Sequence, residues 1–101
     1  MIRHIVFFTA REGEDIERIR EGLAVLAEIE HADRLEVGIN KKTDQLGNSV
    51  DLVVYGEFAS EAALAAYKAH PLYQKSIDLV RPLRELRLAA DYDTAEAVGR
   101  G

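Results

Sequence analysis

The pattern of apolar and polar positions predicts β-strands in four segments of the chain, and apolar residues recur at helical spacing in the segments between. The first segment, residues 2–9, is rich in β-branched and aromatic side chains. It predicts a strand that is apolar on both faces. One face carries Ile5 and Phe7, and the other carries Ile2, His4, Val6 and Phe8.

Three further strands are predicted. Residues 34–40 and residues 50–58 each predict a strand. The polar residues 41–49 between them, with a turn signal at Gly47-Asn48, predict a hairpin connection. The last strand is predicted over residues 83–92, with Leu86, Leu88, Ala90 and Tyr92 on one side.

Helical spacing of apolar residues predicts one helix over about residues 14–30 and another over residues 61–69. Asp15 and Ser60 are suitable N-caps for these two helices. Pro71 suits the first turn of a further short helix, which Pro82 ends. The apolar positions of the first helix are Ile16, Ile19, Leu23, Leu26, Ala27 and Ile29, and those of the third are Leu72, Ile77 and Val80.

The element order β-α-β-β-α-β predicts an α+β, ferredoxin-like fold with a four-stranded antiparallel sheet and helices on one side. The first and third strands are apolar on both faces, whereas the helices cover only one face. We therefore expect a second copy to cover the other face in a sheet-to-sheet homodimer. Residues 1–93 are predicted to form a single domain, and residues 94–101 a flexible tail.

Composition narrows the classes of function. The 101 residues carry a formal net charge of -5 and show no basic patch, so we expect no nucleic-acid partner. The absence of cysteine excludes disulfides, thiolate nucleophiles and cysteine-ligated zinc, and no compact spacing of histidines and carboxylates predicts a metal site. No apolar run is long enough to span a bilayer, and residues 1–8 do not form a signal peptide. A soluble, cytoplasmic protein without membrane association is the expectation.

Several short segments resemble the Dabb family, the stress-responsive A/B barrel domain, over nearly the whole chain. They occur in the family's order and spacing, from the first strand through the helix signature to the last strand. These segments are Ile2–Phe8, Leu35–Asn40, Phe58-Ala59-Ser60, Ala63-Leu64, Tyr67, His70-Pro71, Arg81-Pro82-Leu83 and Asp91-Tyr92.

The resemblance implies a ferredoxin-like dimer whose two sheets form a β-barrel. It leaves the chemistry open, because many members of the family have no assigned activity. One plant member is a polyketide cyclase that works without metal or organic cofactor, and the antibiotic-biosynthesis monooxygenases are a related branch. The resemblance therefore implies no cofactor.

Four residues are candidates for a site. The resemblance implies that His4 and Tyr67 line a pocket and that His70 belongs to the helix signature. His4 or His70 would then be a general base, with Tyr67 or Tyr73 as hydrogen-bond donor. The alternatives are a core histidine bonded to a backbone carbonyl for His4, a core aromatic for Tyr67 and a tether of the helix break for His70. Tyr73 stands where the plant cyclase has its catalytic histidine, and a phenol is a poor base at neutral pH.

Three hypotheses follow. The first is a homodimer that binds a small, largely apolar molecule between sheet and helices, with His4, Tyr67, His70 and Tyr73 as polar contacts. The second is a cofactor-independent enzyme, cyclase-like or monooxygenase-like, that abstracts a proton next to a carbonyl. The third is a purely structural dimer.

Arg81 and Arg84 either bind an anionic substrate or pair with acidic neighbours at the surface. Surface pairing is the interpretation we favour from the sequence.

Overall fold

The computed structural model describes residues 1–101 and confirms the predicted ferredoxin-like α+β fold. One antiparallel sheet of four strands has the order β2-β3-β1-β4, so β1 and β3 are central and β2 and β4 are the edges. Three helices cover one face of this sheet. The strands are β1 (Ile2–Ala10), β2 (Arg34–Ile39), β3 (Leu52–Phe58) and β4 (Arg84–Asp93), and the helices are α1 (Ile16–Ala24), α2 (Glu61–Ala69) and α3 (Pro71–Val80).

The core lies between the helices and the covered face of the sheet. In both β1 and β3, every second side chain is buried, which is the period expected when only one face is covered. The 14 buried apolar residues form one cluster. Its strand members are Ile2, Val6, Phe8, Leu52, Val54 and Phe58, and its helix and loop members are Ile19, Leu23, Leu26, Ile29, Leu64, Tyr67, Val80 and Leu83.

The close packing of α1 against α3 depends on Gly22. A Cβ atom at Gly22 would lie 2.8 Å from Cγ2 of Val80, which is too short for a van der Waals contact. The buried Ser76 hydroxyl donates a 2.9 Å hydrogen bond to the Gly22 carbonyl oxygen at the same crossing. Helix α3 is therefore held in close contact with α1.

The predicted helix caps are confirmed, but the first helix is shorter than predicted. The carboxylate of Asp15 accepts from the Glu17 amide, and the Ser60 hydroxyl accepts from the Ala63 amide. Helix α1 ends at Ala24, and the chain tightens into a 3₁₀ turn over Val25–Glu28. Since side chains three residues apart share a face in a 3₁₀ turn, Leu26 and Ile29 both reach the core.

The connection between β2 and β3 is a loop held by its own side chains. The predicted hairpin is confirmed, because β2 and β3 pair antiparallel. The bend falls at residues 45–46, just before the predicted Gly47-Asn48 turn, because the Asp44 carboxylate accepts from the Leu46 and Gly47 amides. Asn40 donates a 2.7 Å side-chain hydrogen bond to the Val50 carbonyl oxygen and so closes the loop.

A β-bulge interrupts the pairing of β1 with β4. Phe8 is opposite Arg87, whereas Ala10 is opposite Arg84, so β4 contains one residue more than β1 in this interval. The Leu86 amide donates to the Thr9 hydroxyl at 2.9 Å. In a regular strand, two residues three apart point to opposite faces, and a bulge can place them on the same face.

Residues 94–96, inside the predicted tail, form a 3₁₀ turn capped by the Asp93 carboxylate. The Thr94 amide donates to the Met1 carbonyl oxygen at 2.9 Å and ties this turn to the start of β1. The flexibility of the tail stays a prediction for the residues that follow.

Candidate functional site

A cavity of about 370 Å³ opens between the covered face of the sheet and helices α2 and α3. This volume lies within the range of small-molecule sites. His4, Tyr67 and Tyr73 supply polar atoms to its wall, and Lys68, Arg81, Arg84 and Arg87 add positive charges. Its apolar floor consists of Val6, Phe8, Leu23, Leu26, Val54, Ile77 and Val80.

His4 lies on β1 and is 1% exposed. Its Nδ1 forms a hydrogen bond with Oδ1 of Asp91, which is directly opposite on the neighbouring strand β4. The sequence-based alternative, a bond to a backbone carbonyl, does not occur. A carboxylate partner at Nδ1 favours the tautomer with the proton on Nδ1. Nε2 is then the nitrogen that can accept a hydrogen bond or a proton from a ligand.

Gly56 on β3 leaves space beside His4. The two residues are register partners, and a Cβ atom at Gly56 would lie 2.7 Å from Cε2 of Phe58. The Phe58 ring fills that space and meets the imidazole edge-to-face, with ring centroids 6.3 Å apart. The His4 ring is therefore fixed by packing as well as by Asp91.

Tyr67 packs at the centre of an aromatic cluster and is 1% exposed. Its ring centroid lies 4.9 Å from that of Phe58, 5.2 Å from that of Tyr73 and 6.2 Å from that of His4. Burial raises the pKa of Tyr67 well above its ordinary value of about 10, and the Tyr73 phenol raises it further. The Tyr67 hydroxyl is thus a neutral hydrogen-bond donor at physiological pH.

Tyr73 lies in the first turn of α3 and packs edge-to-face on Tyr67. Its hydroxyl accepts from Nη2 of Arg87 at 3.4 Å. Tyr73 therefore links the aromatic cluster to the positively charged side of the cavity.

His70 lies outside the cavity. It is the N-cap of α3, and its Nδ1 accepts from the Leu72 amide at 3.1 Å. Its Nε2 faces the Glu30 carboxylate at 3.8 Å, and its ring centroid lies 6.1 Å from that of His31. This geometry matches the tether of the helix break, the alternative weighed from the sequence, and a role of His70 in a ligand site stays a prediction.

The predicted surface pairing of Arg81 and Arg84 is wrong. Neither residue forms an ion pair, and both line the cavity instead. The bulge in β4 explains the position of Arg84, because it brings this residue to the same side as Arg87. Sequence periodicity alone contains no signal for that bulge.

Asp91 is the residue of this site that the sequence reasoning missed as a partner of His4. It appeared only as part of the last-strand resemblance. Strand β4 lies beside β1 in the sheet, but the register that sets Asp91 opposite His4 depends on how the two strands align.

The chain matches one protein family along most of its length. Residues 2–94 match the Dabb family, described as the stress responsive A/B barrel domain. The chain belongs to the Dabb family. No curated protein matches this Dabb chain.

Solved structures share the Dabb fold at low sequence identity. A Dabb family protein from Mesorhizobium loti is 24% identical, with a TM-score of 0.74 and 97% of each chain covered. A dimeric ferredoxin-like protein of unknown function from Jannaschia sp. CCS1 is 23% identical, with a TM-score of 0.80 and coverage of 92% of this chain and 98% of that one. A proposed antibiotic biosynthesis monooxygenase from Nitrosomonas europaea is 19% identical, with a TM-score of 0.73 and coverage of 92% and 97%. These likenesses show the fold alone.

The Dabb chain has neither a cluster of metal-binding side chains nor a membrane-spanning helix. No group of three or more His, Cys, Asp or Glu side chains is placed to hold a metal ion. None of the helices combines the length and the apolar character needed to cross a membrane.

Proposed function

We propose that this Dabb protein binds a small, largely apolar molecule in the cavity between sheet and helices. The observation that carries the proposal is the composition of the cavity wall, an apolar floor with the polar atoms of His4, Tyr67 and Tyr73 on one side. Such a combination is typical of sites where apolar contacts supply affinity and a few polar groups fix orientation. A purely structural dimer has no need for an open space of this size beside a buried histidine.

The proposal includes a homodimer formed by the bare face of the sheet. Large apolar side chains are exposed there in a monomer, and a surface of this kind is typical of an interface. The Jannaschia neighbour with the same fold is described as dimeric. The most exposed members of the face are Leu86, Leu88 and Tyr92.

Proton abstraction next to a carbonyl is a second candidate, and the His4–Asp91 pair favours it. Nε2 of His4 would take the proton from the carbon beside the carbonyl, and the bonding electrons would move to the carbonyl oxygen as an enolate. The Tyr67 hydroxyl would donate a hydrogen bond to that oxygen, and the proton would return from Nε2 to complete the cycle. Oxygenation, which the name of the Nitrosomonas neighbour suggests, has no comparable observation in its favour.

A pair of tryptophan variants tests the binding proposal. Ile77 lines the cavity, whereas Leu79 on the same helix is 46% exposed and does not line it. We expect aromatic fragments found by NMR to bind the parent and Leu79→Trp, and to lose at least tenfold in affinity with Ile77→Trp. Equal binding by both variants would place the ligand elsewhere and contradict the proposal.

The second candidate is tested by deuterium exchange into aryl methyl ketones in D₂O. We expect Asp91→Asn to lower the catalysed exchange rate by about 10²-fold, because the amide no longer fixes the imidazole tautomer. The carboxylate of Asp78, which accepts from Gln74 on the surface, supplies the control Asp78→Asn. Exchange at the background rate with the parent would remove the enzyme candidate and leave binding in place.

A further inference from the structure

Four positively charged side chains line the cavity, and we call Lys68, Arg81, Arg84 and Arg87 the cationic rim. They come from α2, the end of α3 and β4, so separate elements converge there. The chain as a whole carries a net charge of -5, yet four of its 13 lysines and arginines line this one cavity and no acidic side chain does. The charge of the cavity wall is therefore positive, opposite in sign to the net charge of the chain.

The charges of the cationic rim have no counterions within the chain. None of the four side chains takes part in an ion pair, and the one hydrogen bond among them is the 3.4 Å contact from Arg87 to the neutral Tyr73 hydroxyl. Burial lowers the pKa of Arg84, and the neighbouring arginines, Arg87 first, lower it further. Like charges held together without an anion repel one another, and a bound anion would relieve that repulsion.

The bulge in β4 is what creates the pair Arg84 and Arg87. If the same residues paired regularly, without the bulge, Arg84 would point to the bare face of the sheet together with Leu86 and Leu88. With it, two guanidinium groups line the same cavity. Guanidinium groups match the planar, bidentate geometry of carboxylates and phosphates better than ammonium groups do.

We propose that the molecule bound in this cavity is an anion, whose carboxylate or phosphate group is held by Arg84 and Arg87 while its apolar part lies on the floor towards His4. This inference rests on the proposed function, since it names the class of ligand for the same site. Arg87 and Asp91 are four residues apart on β4, a separation of about 13 Å along the strand. An acid with a chain of about eight carbons fits between the cationic rim and His4.

Four eight-carbon probes test the proposal on the full chain by isothermal titration, each below its micelle-forming concentration. Octanoate and octyl phosphate carry the two candidate anionic groups, octanol is neutral and octylammonium is a cation. We expect at least one anion to bind at least tenfold more tightly than octanol and octylammonium to bind most weakly. The tighter of the two anions identifies the group, and added salt should weaken its binding.

Substitutions in the cationic rim test whether the anionic group binds there. We expect Arg87→Gln and Arg84→Gln each to weaken binding of the preferred anion about tenfold and to leave octanol unchanged. Arg87→Glu should reverse the preference in favour of octylammonium. Arg100→Gln makes the same change of charge in the exposed C-terminal segment and should leave all four affinities as in the parent.

The outcomes separate this inference from the proposed function. Equal binding of octanol and octanoate at the cavity would overturn the anion inference and leave the cavity as a site for neutral molecules. Loss of anion binding in Arg100→Gln to the same extent as in Arg87→Gln would also overturn it, because the effect would then follow from net charge. Failure of all four probes to bind would overturn both proposals.

Discussion

The two faces of the sheet come from the same four strands, yet they differ in how their side chains are covered. On the helix face, Phe58 is 0% exposed and even the polar His4 is buried. On the bare face, Leu88 is 54% exposed and lies beside other apolar side chains of β4. The helix face is complete within one chain, whereas the bare face becomes a core only when a partner covers it.

Polar groups on the two faces differ in the same way. On the helix face, His4 and Asp91 pair across neighbouring strands beside an open cavity. On the bare face, Arg3 donates to the Tyr92 hydroxyl and Tyr55 donates to the Glu57 carboxylate. Nε of Arg3 is buried without a hydrogen-bond partner in the single chain. One face therefore carries a buried polar pair beside a cavity, and the other carries a polar atom and apolar side chains that the single chain leaves without partners.

Truncation of a phenylalanine on each face tests this difference most strongly. Phe58→Ala should lower the free energy of unfolding by about 3–5 kcal/mol at every protein concentration, because it leaves a hole in a core that one chain completes. Phe7→Ala, on the half-buried opposite face of β1, should cost clearly less at low protein concentration. Denaturant titrations at two concentrations measure both values. Equal losses for the two variants at low concentration would remove the asymmetry between the faces.

A charge on the bare face tests association directly. Leu88→Glu should weaken the dimer at least a hundredfold, or about 3 kcal/mol, because an unpaired carboxylate would have to be buried in the interface. Sedimentation velocity across a dilution series measures the change. Leu46→Glu introduces the same charge at a loop position that is fully exposed, and it should sediment like the parent. A parent that is monomeric at micromolar concentration would contradict the proposed dimer.

Two tyrosines provide the smallest and sharpest comparison of the faces. The pKa of Tyr55 on the bare face is raised chiefly by its hydrogen bond to Glu57, whereas that of Tyr67 is raised chiefly by burial. Glu57→Gln should therefore lower the pKa of Tyr55 towards 10 and leave that of Tyr67 unchanged, as followed by phenolate absorbance. A change in the pKa of both tyrosines would contradict this difference, because it would mean that the two faces are electrostatically coupled.

The raised pKa of Tyr67 also fixes the sign of a pH effect on stability. In the unfolded chain the phenol loses its proton near pH 10, whereas the folded chain retains it to higher pH. The free energy of unfolding is therefore undiminished below about pH 10 and decreases as the pH rises above it. Tyr67→Phe should reduce that alkaline decrease, and an unchanged pH profile would contradict the assignment.

Much of the fold could be predicted because it follows from local signals. Ser60, Pro71 and the alternation in β1 and β3 determine elements whose observed bounds lie within two residues of the predicted ones. The early end of α1 could not be predicted, because the continuous apolar stripe hides the change from 3.6 to 3 residues per turn.

The candidate site was less predictable for a different reason. His4, Tyr67 and Tyr73 were identified from the family resemblance, and all three line the cavity. The pairing of His4 with Asp91 depends on the register between two strands that are far apart in sequence. The position of Arg84 in the cationic rim depends on the β-bulge. Neither the strand register nor the bulge can be read from a periodic pattern of apolar residues.

The bulge between Phe8 and Ala10 makes the two ends of β4 independent of each other. In a regular strand, the deletion of one residue would exchange the faces of all the residues on one side of it. Here a deletion at Glu85 would convert the bulge to regular pairing and leave Arg84 opposite Ala10, on the same face as Arg87, while Leu88 and Tyr92 would keep their places. The bulge thus allows the cavity wall near Arg84 to change by insertion or deletion while the exposed apolar side chains of the bare face keep their positions.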